Sequence, residues 1–441
     1  MVLGIVLRAS GLKSACPIQS EIMIRPSKTV AVIGAGMVGA CIARYLQRDG
    51  HNVIILDPDE PGAGASYGNA GCFNPSSLVP IAGLDTFKQV PGYLMDPLGP
   101  LSIRWSYLPK VAPWLIRYCR AGVPEKIKYQ SLALKSILSK SLEALMPLVD
   151  DCGAHDLVRR DGILIVYRSR ESVASDARGW NLRRENGIHW EELDHDAVHD
   201  FDPNLTRDIQ FGKFVPGNGH TANPGALVKA IAQHVVKSGG QHRRVKAENF
   251  VFNGDKLQAV VTDQGLINVD MAVIAAGAYS KPLAQALGNL VPLETERGYH
   301  AMIKTPAIKP RVPTTDSDHK FVVTPMQEGV RVAGTVELAG LDAAPNWKRA
   351  DMLLRRIGAL YPALGKEYRP EDITVWMGHR PSLPDSLPVI GRSKRSADVI
   401  YAFGHQHVGM TAAPYTGVII ADLIAGRPSP VDLTPFRPDR F

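Results

Sequence analysis

The stretch TVAVIGAGMVGACIARYLQRDGHNVIILD, Thr29 to Asp57, decides the fold. Thr29 to Ile33 is short, apolar and rich in β-branched residues, which predicts a buried parallel strand. Gly34, Gly36 and Gly39 follow in the register G-x-G-x-x-G. Gly34 permits a tight turn, Gly36 lets backbone approach a diphosphate, and Gly39 lets the next helix lie close on the strand. A helix over Met37 to Arg48 would aim its free N–H groups and positive dipole end at that diphosphate. Gly50 stops the helix, NVIIL forms a second strand, and Asp57 stands at its C-terminal end. A carboxylate there accepts from a ribose hydroxyl pair and repels a 2′-phosphate. The reading is a dinucleotide-binding βαβ unit, with Met37, Val38 and Pro58 beside the glycines and Asp57 as candidate contacts.

At 441 residues the chain suits two intimately joined domains. It is 45% hydrophobic and 21% charged, as in ordinary soluble globular proteins. Lys+Arg is 50 against Asp+Glu 43, a net +7, with no basic block longer than a few residues. That argues against nucleic acid as a partner. The five cysteines, Cys16, Cys41, Cys72, Cys119 and Cys152, form no CxxC pair and no Cys/His cluster at metal spacing, so no metal site is expected. No apolar run approaches the ~20 residues of a membrane span. Residues 1–28 are expected to be a disordered leader, or an over-long start with initiation at Met23.

The nucleotide-domain signals return only late in the chain. INVDMAVIAAGAYS, Ile267 to Ser280, reads as a strand followed by an Ala-Gly turn. VIYAFGHQHVGMTAAPYTGVIIADLIAG, Val399 to Gly426, reads as a strand, a Gly-rich turn and a long closing helix. HTANPGALVKAIAQHVVKSGG is a capped helix with Asn223 and Pro224 at its start. Between about 290 and 340, RGYHAMI, FVVTPM and VRVAGTVE alternate with strand period. A nucleotide domain split in this way disfavours a simple NAD dehydrogenase.

The stretches VIGAGMVGACIARYLQRDGHNVIILD, GASYGNAGCFNP, GHTANPGALVKAIA, VIAAGAYS, MGHRPSLPDSLPVIG and GHQHVGMTAAPYTG, in this order and spacing, resemble the D-amino-acid oxidase superfamily of flavoproteins. They are most like its bacterial D-amino-acid dehydrogenase branch, of the small-subunit type. The resemblance spans Val32 to Gly417. It implies an α/β (α+β) fold, with a Rossmann-like FAD-binding domain assembled from residues 29–80, 220–290 and 375–435. A substrate domain, 81–219 and 291–374, would carry a large mainly antiparallel sheet.

The resemblance implies non-covalent FAD, with Ser66 donating to phosphate and Asn69, Ala70 and Gly71 near the ring system. Val245 would contact the adenine through its backbone, Ala276 and Gly277 would line the nucleotide, and Gly409, Met410 and Thr411 would face the flavin. Cys72 reads as a loop filler rather than a covalent attachment. Arg380, in GHRP, would grip a substrate carboxylate, since a guanidinium fork binds carboxylate bidentately. Tyr299 and His300 are adjacent on a strand and must face opposite sides; the family's habit favours Tyr299 as the substrate residue. His407 stands where some relatives carry another substrate-binding Arg, and either contacts substrate or caps the helix.

The activity implied is oxidative deamination of small D-amino acids to 2-oxo acids and ammonia, by hydride transfer to flavin N5. Electrons would pass to a quinone or another non-oxygen acceptor. Alternatives are oxidation of sarcosine, glycine, D-proline or hydroxy-D-proline on the same fold, or a non-enzymatic flavoprotein. The aromatic and basic stretch from Leu78 to Tyr118, with Trp105, Tyr107 and Trp114, suits either a peripheral membrane contact or helices packed on the nucleotide domain with basic residues at the rim. The expected location is the cytoplasm, either free or peripheral at the inner face of the plasma membrane.

Overall fold

A computed structural model describes residues 27–81, 99 and 101–441. Nearly all of the expected leader, and the part of the Leu78–Tyr118 stretch at 82–98 and 100, lie outside the described residues. Thr29–Ile33 pairs in parallel with Asn52–Leu56 on one side and Met271–Ile274 on the other. The sheet has six strands, in the order Gln241–Arg243, Asn52–Leu56, Thr29–Ile33, Met271–Ile274, Val399–Phe403, Val389–Arg392. All neighbours are parallel except the last pair. The central strands are apolar throughout because both faces are covered. Val30 and Val32 pack under the helices Met37–Arg48, Pro224–Lys237 and Gly409–Ala425. Ala31 and Ile33 pack on the three-stranded meander over 247–268 and the helix Ser280–Ala286.

The closing helix corrects one sequence expectation. Gln406–Ala425 forms 20 helical residues apolar enough to cross a membrane by length and composition, yet it is mostly buried within the protein. It is apolar nearly all round because it is the core helix of the nucleotide domain, against Met37–Arg48 on one side and Ser141–Cys152 on another.

The second sheet has nine strands, mainly antiparallel. At its edge and centre stand three ten-residue strands, Ile373–Ser382, Glu294–Ile303 and Gly329–Leu338. Ile373–Ser382 pairs with Glu294–Ile303 along its whole length, so the sheet keeps this segment well past a boundary at 375. One face is covered by the amphipathic helix Lys348–Leu360, through Met352, Leu353 and Ile357. The other face looks at the nucleotide domain.

Two further helices, Leu108–Ala121 and Pro124–Leu138, lie at the side of this junction. The first buries Val111 and Trp114 while Trp105 just before it is 74% exposed. Between residues 101 and 140 there are eight Lys and Arg against the single acid Glu125.

Candidate active site

The glycine loop fits a diphosphate on steric grounds. Gly34 has φ +112, and a Cβ there would lie 2.5 Å from the Ala275 carbonyl oxygen. A Cβ on Gly39 would overlap the Gly34 carbonyl, so strand and helix touch through backbone alone. Ser66 Oγ accepts from the Met37 N–H at 3.0 Å, at the N-terminus of the first helix. Its own hydroxyl proton is left to donate, as a phosphate contact requires. Val38 packs beside it against the helical core.

Asp57 does more than the sequence suggested. Its Oδ2 accepts from the Ala35 N–H at 2.7 Å and its Oδ1 from the Asp59 N–H at 2.9 Å, across Pro58. The carboxylate therefore holds the glycine loop in shape, and its remaining lone pairs are free for a ribose. Burial pushes the Asp57 carboxyl up, and the two N–H donors oppose that shift. Val245, with a buried side chain, turns its N–H to the Arg243 carbonyl just beyond the strand next to Asn52–Leu56. Ala276 and Gly277 (φ +54) follow the strand beside Thr29–Ile33, at the same sheet end as Gly34.

The loop over this end is held from both domains. Asn69 Oδ1 accepts from the Gly71 N–H at 2.8 Å, with Ala70 inside that turn, and the Gly71 carbonyl accepts from Thr221 N–H. Arg331, on the strand Gly329–Leu338, donates to the Tyr67 and Asn69 carbonyls. Its Nε is buried with no partner, and burial lowers the guanidinium to about 10. Gly409 and the buried Met410 open the closing helix, while Thr411 Oγ1 accepts from the Asn74 N–H at 2.9 Å. The loop and the helix start are thus one unit. Gly34, Gly39, Asp57, Ser66 and the unsatisfied Arg331 Nε together fit an FAD, which residues 34–39 and 57 would hold at its nucleotide end and 66–71 and 409–411 at its ring end.

The second sheet contributes the rest. Arg380 stands opposite Glu296 on adjacent strands, and its guanidinium lies where a Cβ on Gly298 would be. Arg380 Nη1 donates to the Thr335 carbonyl at 3.0 Å, which leaves the rest of its fork for a ligand. Thr335 has φ +65, a strained conformation for a β-branched residue, at a bulge in its strand. Glu296 Oε2 is 2.8 Å from His407 Nε2. His300 Nδ1 is 3.0 Å from the Gly68 carbonyl, and its ring stacks on Trp376 at 5.4 Å. Arg380, Glu296 and His300 therefore share the face that looks at the nucleotide domain, and His407 meets Glu296 from the turn before that domain's closing helix.

Tyr299 does not. Its hydroxyl donates to Glu337 Oε2 at 2.6 Å and accepts from the Asn346 N–H at 3.0 Å. The ring packs with the core under Lys348–Leu360. The expectation that Tyr299 enters the site is corrected: strand alternation puts His300 there, and Tyr299 is buried on the helix side. Sequence reading also passed over Glu296, Gly298, Trp376 and Arg331. Two acids in the buried strand ETERGYHAMI, one of them two residues from Gly298, were the available signal.

Comparison with known proteins agrees with this geometry. Residues 29–423 match the DAO family, described as FAD dependent oxidoreductase. The D-amino-acid oxidase of Bradyrhizobium diazoefficiens is 45% identical over 415 residues, covering 93% of this chain and 98% of its own length. The D-amino acid dehydrogenase 2 of Mesorhizobium japonicum is 28% identical, over 91% of this chain and 98% of its own. The crystal structure of glycine oxidase from Geobacillus kaustophilus has the same fold, with TM-score 0.71 at 20% identity, over 94% of this chain and 99% of that one. On the match over residues 29–423 and the relative at 45% identity, this chain belongs to the DAO family of FAD-dependent oxidoreductases.

Proposed function

We propose that the protein oxidises small D-amino acids to 2-oxo acids and ammonia. The observation that carries this is Arg380: a half-buried guanidinium with one hydrogen bond, to Thr335, framed by a glycine and facing the flavin-binding residues. Such a fork takes a substrate carboxylate bidentately and fixes its Cα. FAD, when bound, supplies the two-electron oxidant for a Cα–H bond. The D-configuration is supported by the names of the relatives at 45% and 28% identity. Non-covalent FAD is part of this reading: burial pushes the Cys72 thiol up to about 12, which disfavours the thiolate that a covalent link would need. Anaerobic addition of D-amino acids, L-amino acids and N-methyl glycines to the yellow holoenzyme tests this. Bleaching by D-amino acids alone supports it, and bleaching only by N-methylated amines transfers the function to those substrates.

For the electron acceptor, the dehydrogenase-named relatives support a quinone or another non-oxygen acceptor. The exposed Trp105, Ile116, Tyr129 and Leu132, in a segment of strongly basic balance, support a peripheral contact with an anionic membrane surface at the cytoplasmic side. The relative at 45% identity, named an oxidase, favours oxygen as a second reading. Mixing the bleached enzyme with oxygen or with a soluble quinone, and timing the return of colour, separates the two.

A further inference from the structure

Glu296 is a buried acid whose partner is a histidine. Carboxylates are seldom buried without a reason. Four side chains face it: His407 from the turn before the closing helix, Arg380 and Ser382 from the neighbouring strand, and Tyr118 from the helix Leu108–Ala121. Burial pushes the Glu296 carboxyl up, but the His407 hydrogen bond and the charges of His407 and Arg380 hold it below the ordinary glutamate value. An ionised carboxylate at 2.8 Å from Nε2 makes that nitrogen the proton-bearing one and leaves Nδ1 as the acceptor. The same logic orients a histidine base in hydrolases.

The turn that carries His407 is fixed from behind. Gln406 has φ +47, and its side chain donates to the Leu383 carbonyl at 2.5 Å. Thr335, whose carbonyl receives Arg380, is the other left-handed residue here. Of the four non-glycine residues with positive φ among the described residues, two thus border the Arg380–Glu296–His407 group. Strain of this kind collects where a side chain must be aimed.

A free amino acid arrives at neutral pH with an ammonium group, and its nitrogen must be neutral before electrons can leave Cα. We propose that His407 Nδ1 takes that proton, with Glu296 as the positioning residue that holds the ring and stabilises the imidazolium. One N–H bond of the substrate breaks and one Nδ1–H bond forms. The electron pair stays on the substrate nitrogen, and the proton stays on His407 until product leaves. The inference rests on the amino-acid oxidation reading.

The test uses holoenzyme with flavin retention confirmed for each variant. The first readout is the anaerobic bleaching rate with the best D-amino acid from pH 6 to 10. Glu296→Gln and His407→Gln should each slow bleaching about 100-fold at pH 7, with recovery as pH passes the substrate's own amine pKa. The second readout involves no turnover: ¹⁵N spectra of histidine-labelled enzyme at pH 8, before and after adding 2-aminoisobutyrate, which has no Cα–H. The His407 signal, assigned by its loss in His407→Gln, should move to the imidazolium position. Equal slowing at every pH, no slowing, or a His407 ring that stays neutral on binding overturns the proposal. If wild-type flavin is bleached while these signatures are missing, only the proton transfer is wrong. If no D-amino acid bleaches it, the oxidation reading falls as well.

Discussion

Gly298 and Arg380 lie across two adjacent antiparallel strands, and the Arg380 guanidinium fills the volume that any larger residue at 298 would need. Gly298→Ala should therefore displace Arg380 without touching substrate itself. The expected result is a KM for D-amino acids about 10- to 100-fold higher with flavin still bound, the range for losing a charge-assisted hydrogen bond. Arg380→Ala should raise KM at least as much. Steady-state kinetics of both variants checks this, and an unchanged KM in Arg380→Ala removes that residue from substrate binding.

Asp57→Ala should release flavin. The carboxylate holds two loop N–H groups, at 2.7 and 2.9 Å, and its loss leaves both without their acceptor. The purified variant should be pale and should take up added FAD weakly. Full occupancy after gel filtration would show that the loop keeps its shape without Asp57.

Tyr299→Phe should alter stability rather than kinetics. It leaves Glu337 and the Asn346 N–H without the hydroxyl that joins them, at a loss of about 1–3 kcal/mol. Urea unfolding should show a lower midpoint while KM holds steady. A raised KM at wild-type stability would put Tyr299 back among the substrate residues.

Acid should weaken the fold through its buried histidines. Burial lowers His300 to about 3 and His405 to about 4, so both stay neutral in the native state. The unfolded chain takes up their protons below about 6.5. Their contribution is whole above that value and declines as pH falls towards 4, at up to about 1.4 kcal/mol per pH unit for each histidine. Urea midpoints of the holoenzyme at pH 7 and pH 5 should differ in that direction. Identical midpoints would mean that neither ring is held neutral.

The nucleotide half was legible in the sequence because its signals are local. Strand, glycine register, helix and acid lie within Thr29–Asp57, and each element forms where its residues place it. GHRP identified Arg380 for a similar reason. The remaining site residues depend on which strands become neighbours. Glu296 meets His407 across 111 positions of chain and His300 meets Gly68 across 232, and neither spacing leaves a mark on a single segment. Strand alternation stated correctly that Tyr299 and His300 diverge, but not which face would be covered by Lys348–Leu360. The closing helix was read as long, but its near-continuous apolar character was not, because Thr, Pro and Gly stand within it, and burial against other helices tolerates those residues.

The order of strands in the nucleotide sheet also dictates when this protein can first bind its cofactor during synthesis. Thr29–Ile33 emerges early, but its second edge waits for Met271–Ile274, and that strand in turn waits for Val399–Phe403. Until the last strand and the helix behind it have left the ribosome, the glycine loop faces an unfinished sheet with a hydrophobic edge. Cofactor capture thus waits for Val399–Phe403, however early the glycine loop itself is made. A ribosome-bound intermediate stalled before Val399 should be colourless, whereas a chain in which that strand has docked should take up the flavin.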